Sequence, residues 1–123
     1  MLRFIIISEV VNMTDFSNYG QERDVHANDD ELEIFLTLKT IMSDHGLDPF
    51  QLELVRRSDN YVTAAIGGTD VARFKFTPRA RWILFPYSYN DKIHLETPDT
   101  VSEFSEAVIQ AVRIADEINS SDN

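Results

Sequence analysis

The chain has 123 residues, with 11 basic against 21 acidic side chains for a net charge of −10, no cysteine, and 43% hydrophobic residues. That length excludes a two-domain enzyme, and the missing cysteine excludes a disulfide-stapled module and a thiolate metal centre. An apolar content that includes 8 Phe, 4 Tyr and 1 Trp excludes a generally disordered chain.

The longest apolar run, Phe4-Ile5-Ile6-Ile7, is stopped by Ser8 and Glu9 before Val10-Val11. It falls far short of the roughly 20 residues that span a bilayer, and it lacks the small-residue cleavage pattern of a secretory leader. The expectation is a cytoplasmic protein with no membrane segment, and the absence of cysteine suits a reducing compartment. Residues 2–11 read as a buried strand, with a short helix as the alternative. Residues 12–29 read as a polar loop, long for a compact domain. Residues 30–45 follow as a helix, with Asn28 and Asp30 both suited to its N-cap and Glu31 and Glu33 in the matching capping-box positions. Leu32, Phe35, Leu38 and Met42 form its apolar stripe, which Ile34, Leu36 and Ile41 widen, and Gly46 suits the position just past its end.

Pro49 starts the next unit. Residues 50–57, 61–66, 71–77 and 80–85 read as four strands of an antiparallel meander, punctuated by Ser58-Asp59-Asn60, Gly67-Gly68-Thr69-Asp70, Pro78 and Pro86. Gly67-Gly68 is the clearest hairpin signal, because glycine tolerates positive φ. A further short strand fits Lys92–Leu95. Thr100 with Glu103 suggests a second capping box, opening a C-terminal helix whose stripe is Val101, Phe104, Val108, Ala111, Ala115 and Ile118. The fold class expected is α+β: a four-stranded antiparallel meander, with room for an extra N-terminal strand, packed against a central and a C-terminal helix. It forms one domain over residues 1–123, with a segment 1–29 set apart from a core module over 30–119.

The charge is segregated along this order. Residues 1–55 carry net −8, residues 56–92 carry +4, and residues 93–123 carry −6. Alternation places Arg57, Tyr61, Thr63, Arg73, Lys75 and Arg81 on one sheet face, with Ile83 and Phe85 as its apolar members. Phe50, Leu52, Phe74, Trp82 and Leu84 fall on the other face, so Trp82 is expected in the core. Arg57, Tyr61, Arg73, Lys75 and Arg81 are therefore the candidate binding residues. A face of this kind suits an acidic protein surface, for which Arg and Tyr are favoured anchors, and it also suits single-stranded nucleic acid held by stacking and phosphate contact. The surrounding acidic segments disfavour the polyanion.

The stretch Tyr61, Gly67, Asp70, Ala72, followed by the Arg-x-Lys-x-Thr-x-Arg-Ala-x-Trp run over residues 73–82 and Ile83, resembles small uncharacterised domains of bacterial and phage proteins. The resemblance covers residues 61–83. It implies that residues 50–118 are a common module and implies no activity or site.

Other chemistry is weaker. The acidic clusters Asp24, Asp29, Asp30, Glu31, Glu33 and Glu96, Asp99, Glu103, Glu106 are of the kind that can mimic phosphates, but capping and solubility explain several of them. His26, His45 and His94 have no compact metal-ligand spacing. Gly67-Gly68-Thr69 lacks the Gly-Lys-Ser/Thr of a phosphate loop. Glu53, Asp70 and Lys75 make only a forced nuclease-like set, since Asp70 is more simply a turn residue. The reading is a non-enzymatic interaction or regulatory module that binds a protein partner, with a homodimer left open. It has no catalytic residue, metal or cofactor. Nucleic-acid binding on the same face and acidic mimicry are the alternatives.

Overall fold

A computed structural model describes residues 26–121. The strand expected over residues 2–11 and residues 12–25 of the loop expected over 12–29 lie outside the described residues. Helix α1 (Asp29–Asp44) is followed by a 3-10 turn (Pro49–Gln51), then β1 (Leu52–Val55), β2 (Val62–Ile66), β3 (Thr69–Phe76), β4 (Arg81–Phe85) and β5 (Tyr89–His94). A second 3-10 segment (Pro98–Phe104) leads into α2 (Ser105–Ser121). The five strands form one antiparallel sheet in the order β1-β2-β3-β4-β5, a meander of the four expected strands in which the further short strand expected at Lys92–Leu95 appears as β5, beginning at Tyr89. Among the described residues, no helix is long and apolar enough to cross a membrane.

Asn28 is the N-cap of α1. Its side chain accepts from Glu31 N–H at 2.7 Å, and the Glu31 carboxylate accepts from Asn28 N–H at 3.1 Å. This reciprocal pair satisfies two of the donors that every helix start leaves open. The other Glu31 oxygen accepts from Phe76 N–H at 3.1 Å, and Asn28 Nδ2 donates to Phe76 O at 2.8 Å. The cap thus stitches the helix to the end of β3, and Glu31 is buried. At the other end Gly46 takes a φ of 77°. Leu47 N–H reaches Met42 O at 2.9 Å and Gly46 N–H reaches Ser43 O at 3.1 Å, the bond pair of a Schellman ending. The capping box expected at Thr100 lies three residues earlier: Thr97 N–H donates to Thr100 Oγ1 at 3.1 Å. Pro98, whose fixed φ suits a first turn, starts a 3-10 segment before α2 begins at Ser105.

Both helices lie on one side of the sheet. Ile34, Phe35, Leu38 and Met42 of α1 and Val108, Val112 and Ala115 of α2 are fully buried there, with Leu54, Val62, Phe74, Ile83 and Phe85 of the strands. Lys39 is also buried in this layer, its ammonium 4.8 Å from the Phe35 ring centre.

The register corrects one expectation. Phe76 pairs with Arg81 and Phe74 with Ile83, so even-numbered residues of β3 share a face with odd-numbered residues of β4. The connection Thr77–Ala80 has an even number of residues, which reverses parity across the hairpin. It is closed by Thr77 N–H to Ala80 O at 2.8 Å. Ile83 and Phe85 therefore enter the core, while Trp82 and Leu84 leave it and remain only partly buried.

β2 and β3 are aligned by two compensating features. Gly67 and Gly68 both take positive φ, 56° and 86°, as a two-residue type I′ turn requires. A bulge opposite Ala64/Ala65 then inserts Val71, so that Ala64 pairs with Ala72 while Ala65 pairs with Asp70. The extra residue leaves consecutive Val71 and Ala72 both buried. It also brings Asp70 onto the same face as Arg73 and Lys75, three and five positions further on.

Candidate binding face

The sheet face opposite the helices carries a continuous layer of cations and rings. Val55, Thr63, Arg73 and Leu84 form one row across β1 to β4, and Lys75, Trp82 and His94 form the next across β3 to β5. At the centre, the Tyr61 and Trp82 rings meet edge to face, with centroids 5.9 Å apart and planes at 63°. The Lys92 ammonium lies 4.3 Å from the Trp82 ring centre, and the Arg73 guanidinium 5.9 Å from that of Tyr61. Both distances are within reach of an attractive cation–π contact.

Tyr61 precedes β2, and Arg56 fixes the segment that carries it. The Arg56 guanidinium donates to His26 O at 3.0 Å, Ser58 O at 3.2 Å and Tyr61 O at 2.9 Å. It ties the β1–β2 connection to the chain entering α1.

A second cluster borders the first. Asp70 accepts from Arg57 at 3.0 Å through one carboxylate oxygen and from Arg73 at 3.0 Å through the other. Arg57 also donates to Gly68 O at 3.1 Å. The Asp70 side chain is only 12% exposed, against 45% for Arg57 and 34% for Arg73, so one shielded carboxylate holds two half-open guanidinium groups. Beneath this layer Thr63 is fully buried, and its hydroxyl has no hydrogen-bond partner among the described residues.

Four of the five residues expected to bind together are on or beside this face: Arg57, Tyr61, Arg73 and Lys75. Arg81 is not. It lies on the helix side at the start of β4, 5.1 Å from the Phe76 ring centre, and donates to Thr77 O at 3.3 Å. The same parity reversal that puts Ile83 and Phe85 in the core removes Arg81 from the face. Sequence reasoning did not find Trp82 or Lys92 as members. The signal for Trp82 was the even-length connection, whereas Lys92 arrives only through the pairing of β5 with β4. Asp70, read as a turn residue, is instead the pivot of the two arginines.

The remaining candidates gather no chemistry. Among the described residues, no group of three His, Cys, Asp or Glu side chains comes together to hold a metal ion. His45 Nδ1–H donates to Ile41 O at 2.9 Å and so closes the end of α1. Glu31 is committed to the backbone of Asn28 and Phe76. A 430 Å³ cleft beside Lys75, lined by Asn28, Arg56, Asp59 and Thr77, continues the face toward the start of α1.

The fold is thus an antiparallel five-stranded α+β meander with its helices on one side. Comparison with protein-family models, with curated proteins and with solved structures returns no match to the chain.

Proposed function

We propose that the protein is a cytoplasmic, non-enzymatic interaction module that docks a protein partner on the sheet face opposite its helices. The observation that carries this reading is the Tyr61–Trp82 ring pair, bordered by Arg73, Lys75 and Lys92. Aromatic rings held on a rigid sheet supply large contact area at small entropic cost, and Trp, Tyr and Arg are the side chains enriched among interface anchors.

Binding of single-stranded nucleic acid is the competing use of the same residues. Asp70 offsets one of the two positive charges of Arg57 and Arg73, and Glu53 lies on the same face, so the four cations of the layer stand against two carboxylates. The Lys92 ammonium already lies over the Trp82 ring, where a base would stack. Each phosphate contact adds to affinity, so a net excess of two cations on a chain of net charge −10 makes a weak polyanion site.

The test is affinity capture from lysate with the wild-type protein and with Lys75→Glu/Lys92→Glu, each with and without nuclease. The reading expects proteins that the wild type retains after nuclease and that the variant loses while its unfolding midpoint is unchanged. Equal retention by the variant, or retention that nuclease abolishes, contradicts it.

A further inference from the structure

We infer that the partner segment is acidic, with carboxylates that pair with Lys75 and Lys92 on either side of an apolar side chain seated against Trp82 and Tyr61. The inference rests on the docking face proposed above and assigns the chemistry of what docks there. Three observations point to it.

First, the face is positive within a negative protein. Arg57, Arg73, Lys75 and Lys92 stand against the carboxylates of Glu53 and Asp70, while the whole chain is at −10. A like-charged chain that concentrates cations on one face favours an anionic visitor there and repels it elsewhere, so orientation as well as affinity is selected. His94, the strand partner of Trp82 on this face, is paired with Glu96 at 3.2 Å.

Second, the cations differ in availability. Asp70 shares its one negative charge between both arginines, so their charge is partly offset and their positions are fixed. The Lys92 ammonium instead contacts a ring face, which consumes none of its three donors. Lys75 is partly exposed beside Trp82, its cross-strand neighbour.

Third, the spacing suits a peptide. Lys75 on β3 and Lys92 on β5 flank Trp82 on β4; Trp82 pairs with His94, two residues beyond Lys92, so the two lysine backbones are two strand spacings across and two residues along, about 12 Å apart. An extended segment rises about 3.3 Å per residue and turns alternate side chains to one side, so carboxylates four residues apart span that gap with an apolar residue midway on the same side. The half-buried Trp82, Tyr61 and Leu84 supply the apolar floor for that residue.

The experiment uses the full chain and a fluorescein-labelled peptide of glutamates around a central phenylalanine. An isosteric peptide with glutamine in place of glutamate and an oligothymidylate serve as comparison probes, all read by anisotropy at low salt. The expected result is saturable binding of the glutamate peptide, weakened about tenfold in the glutamine peptide and about tenfold in Lys75→Glu/Lys92→Glu. Asp70→Asn, which releases Arg57 and Arg73, tightens it. If glutamate and glutamine peptides bind equally and both are lost in the lysine variant, the acidic assignment is overturned while the docking face stands. If the glutamate peptide binds wild type and lysine variant alike, the docking face itself falls. Tighter binding of the oligothymidylate than of the peptide overturns the assignment in favour of nucleic acid.

Discussion

The two faces of the sheet are woven from the same strands, residue by alternate residue, yet they differ in kind. On the helix side Phe74, Ile83 and Phe85 are fully buried in one cluster with Phe35, Leu38 and Val112. On the other side Arg73, Lys75, Trp82 and Leu84 are each only partly buried. The first face is held by apolar area removed from water, a non-directional force that needs no charged partner. The second is held by ring contacts and ion pairs whose groups retain donors and surface for something else. A strand that alternates Phe74 with Arg73 and Lys75 therefore divides its work, with one set of side chains fixing the fold and the neighbouring set remaining available at its surface.

Substitutions on each face should break this contrast unequally. The largest effect is expected from Phe74→Ala, which opens a cavity in the helix-side layer and costs about 3–5 kcal/mol in urea unfolding. Trp82→Ala, although it removes the larger ring, should cost less than half as much, and an equal loss would erase the distinction between the faces. Next is Glu31→Ala. The Glu31 carboxylate serves both Asn28 N–H and Phe76 N–H, so its loss unmakes the cap and leaves a strand donor buried, for about 2–3 kcal/mol by the same measurement. The smallest effect is expected from Thr63→Val. Its buried hydroxyl has no partner among the described residues, so the isosteric methyl should leave stability unchanged or raise it by about 1 kcal/mol. A loss of that size would show that the hydroxyl is bonded in solution.

Local signals carried much of this architecture. The Asn28–Glu31 box, the Gly46 ending, the Gly67-Gly68 turn and the alternation of β3 are all decided within a few residues, where capping and turn chemistry act. The faces required more. Whether Trp82 or Ile83 enters the core depends on how many residues Thr77–Ala80 spans in the closed hairpin, and a one-residue change of register inverts every side chain on the strand. The Val71 bulge that turns Asp70 toward Arg73 is a property of the β2–β3 pairing. Lys92 meets Trp82 because β5 returns along β4, a contact between residues that share no local pattern. Four of the expected binding residues were legible because they lie on segments whose parity the turn did not alter, while Arg81 lies just past the turn that did.

Trp82 is the only tryptophan in the chain, so its emission reports on the disputed face alone. The most direct measurement is acrylamide quenching of that emission in the native protein, alongside the urea-unfolded chain. The account predicts an accessible indole, quenched to a substantial fraction of the unfolded value and shielded by Lys92 and Tyr61 only in part. Native emission that acrylamide hardly quenches would place Trp82 in a closed interior and contradict an open face opposite the helices.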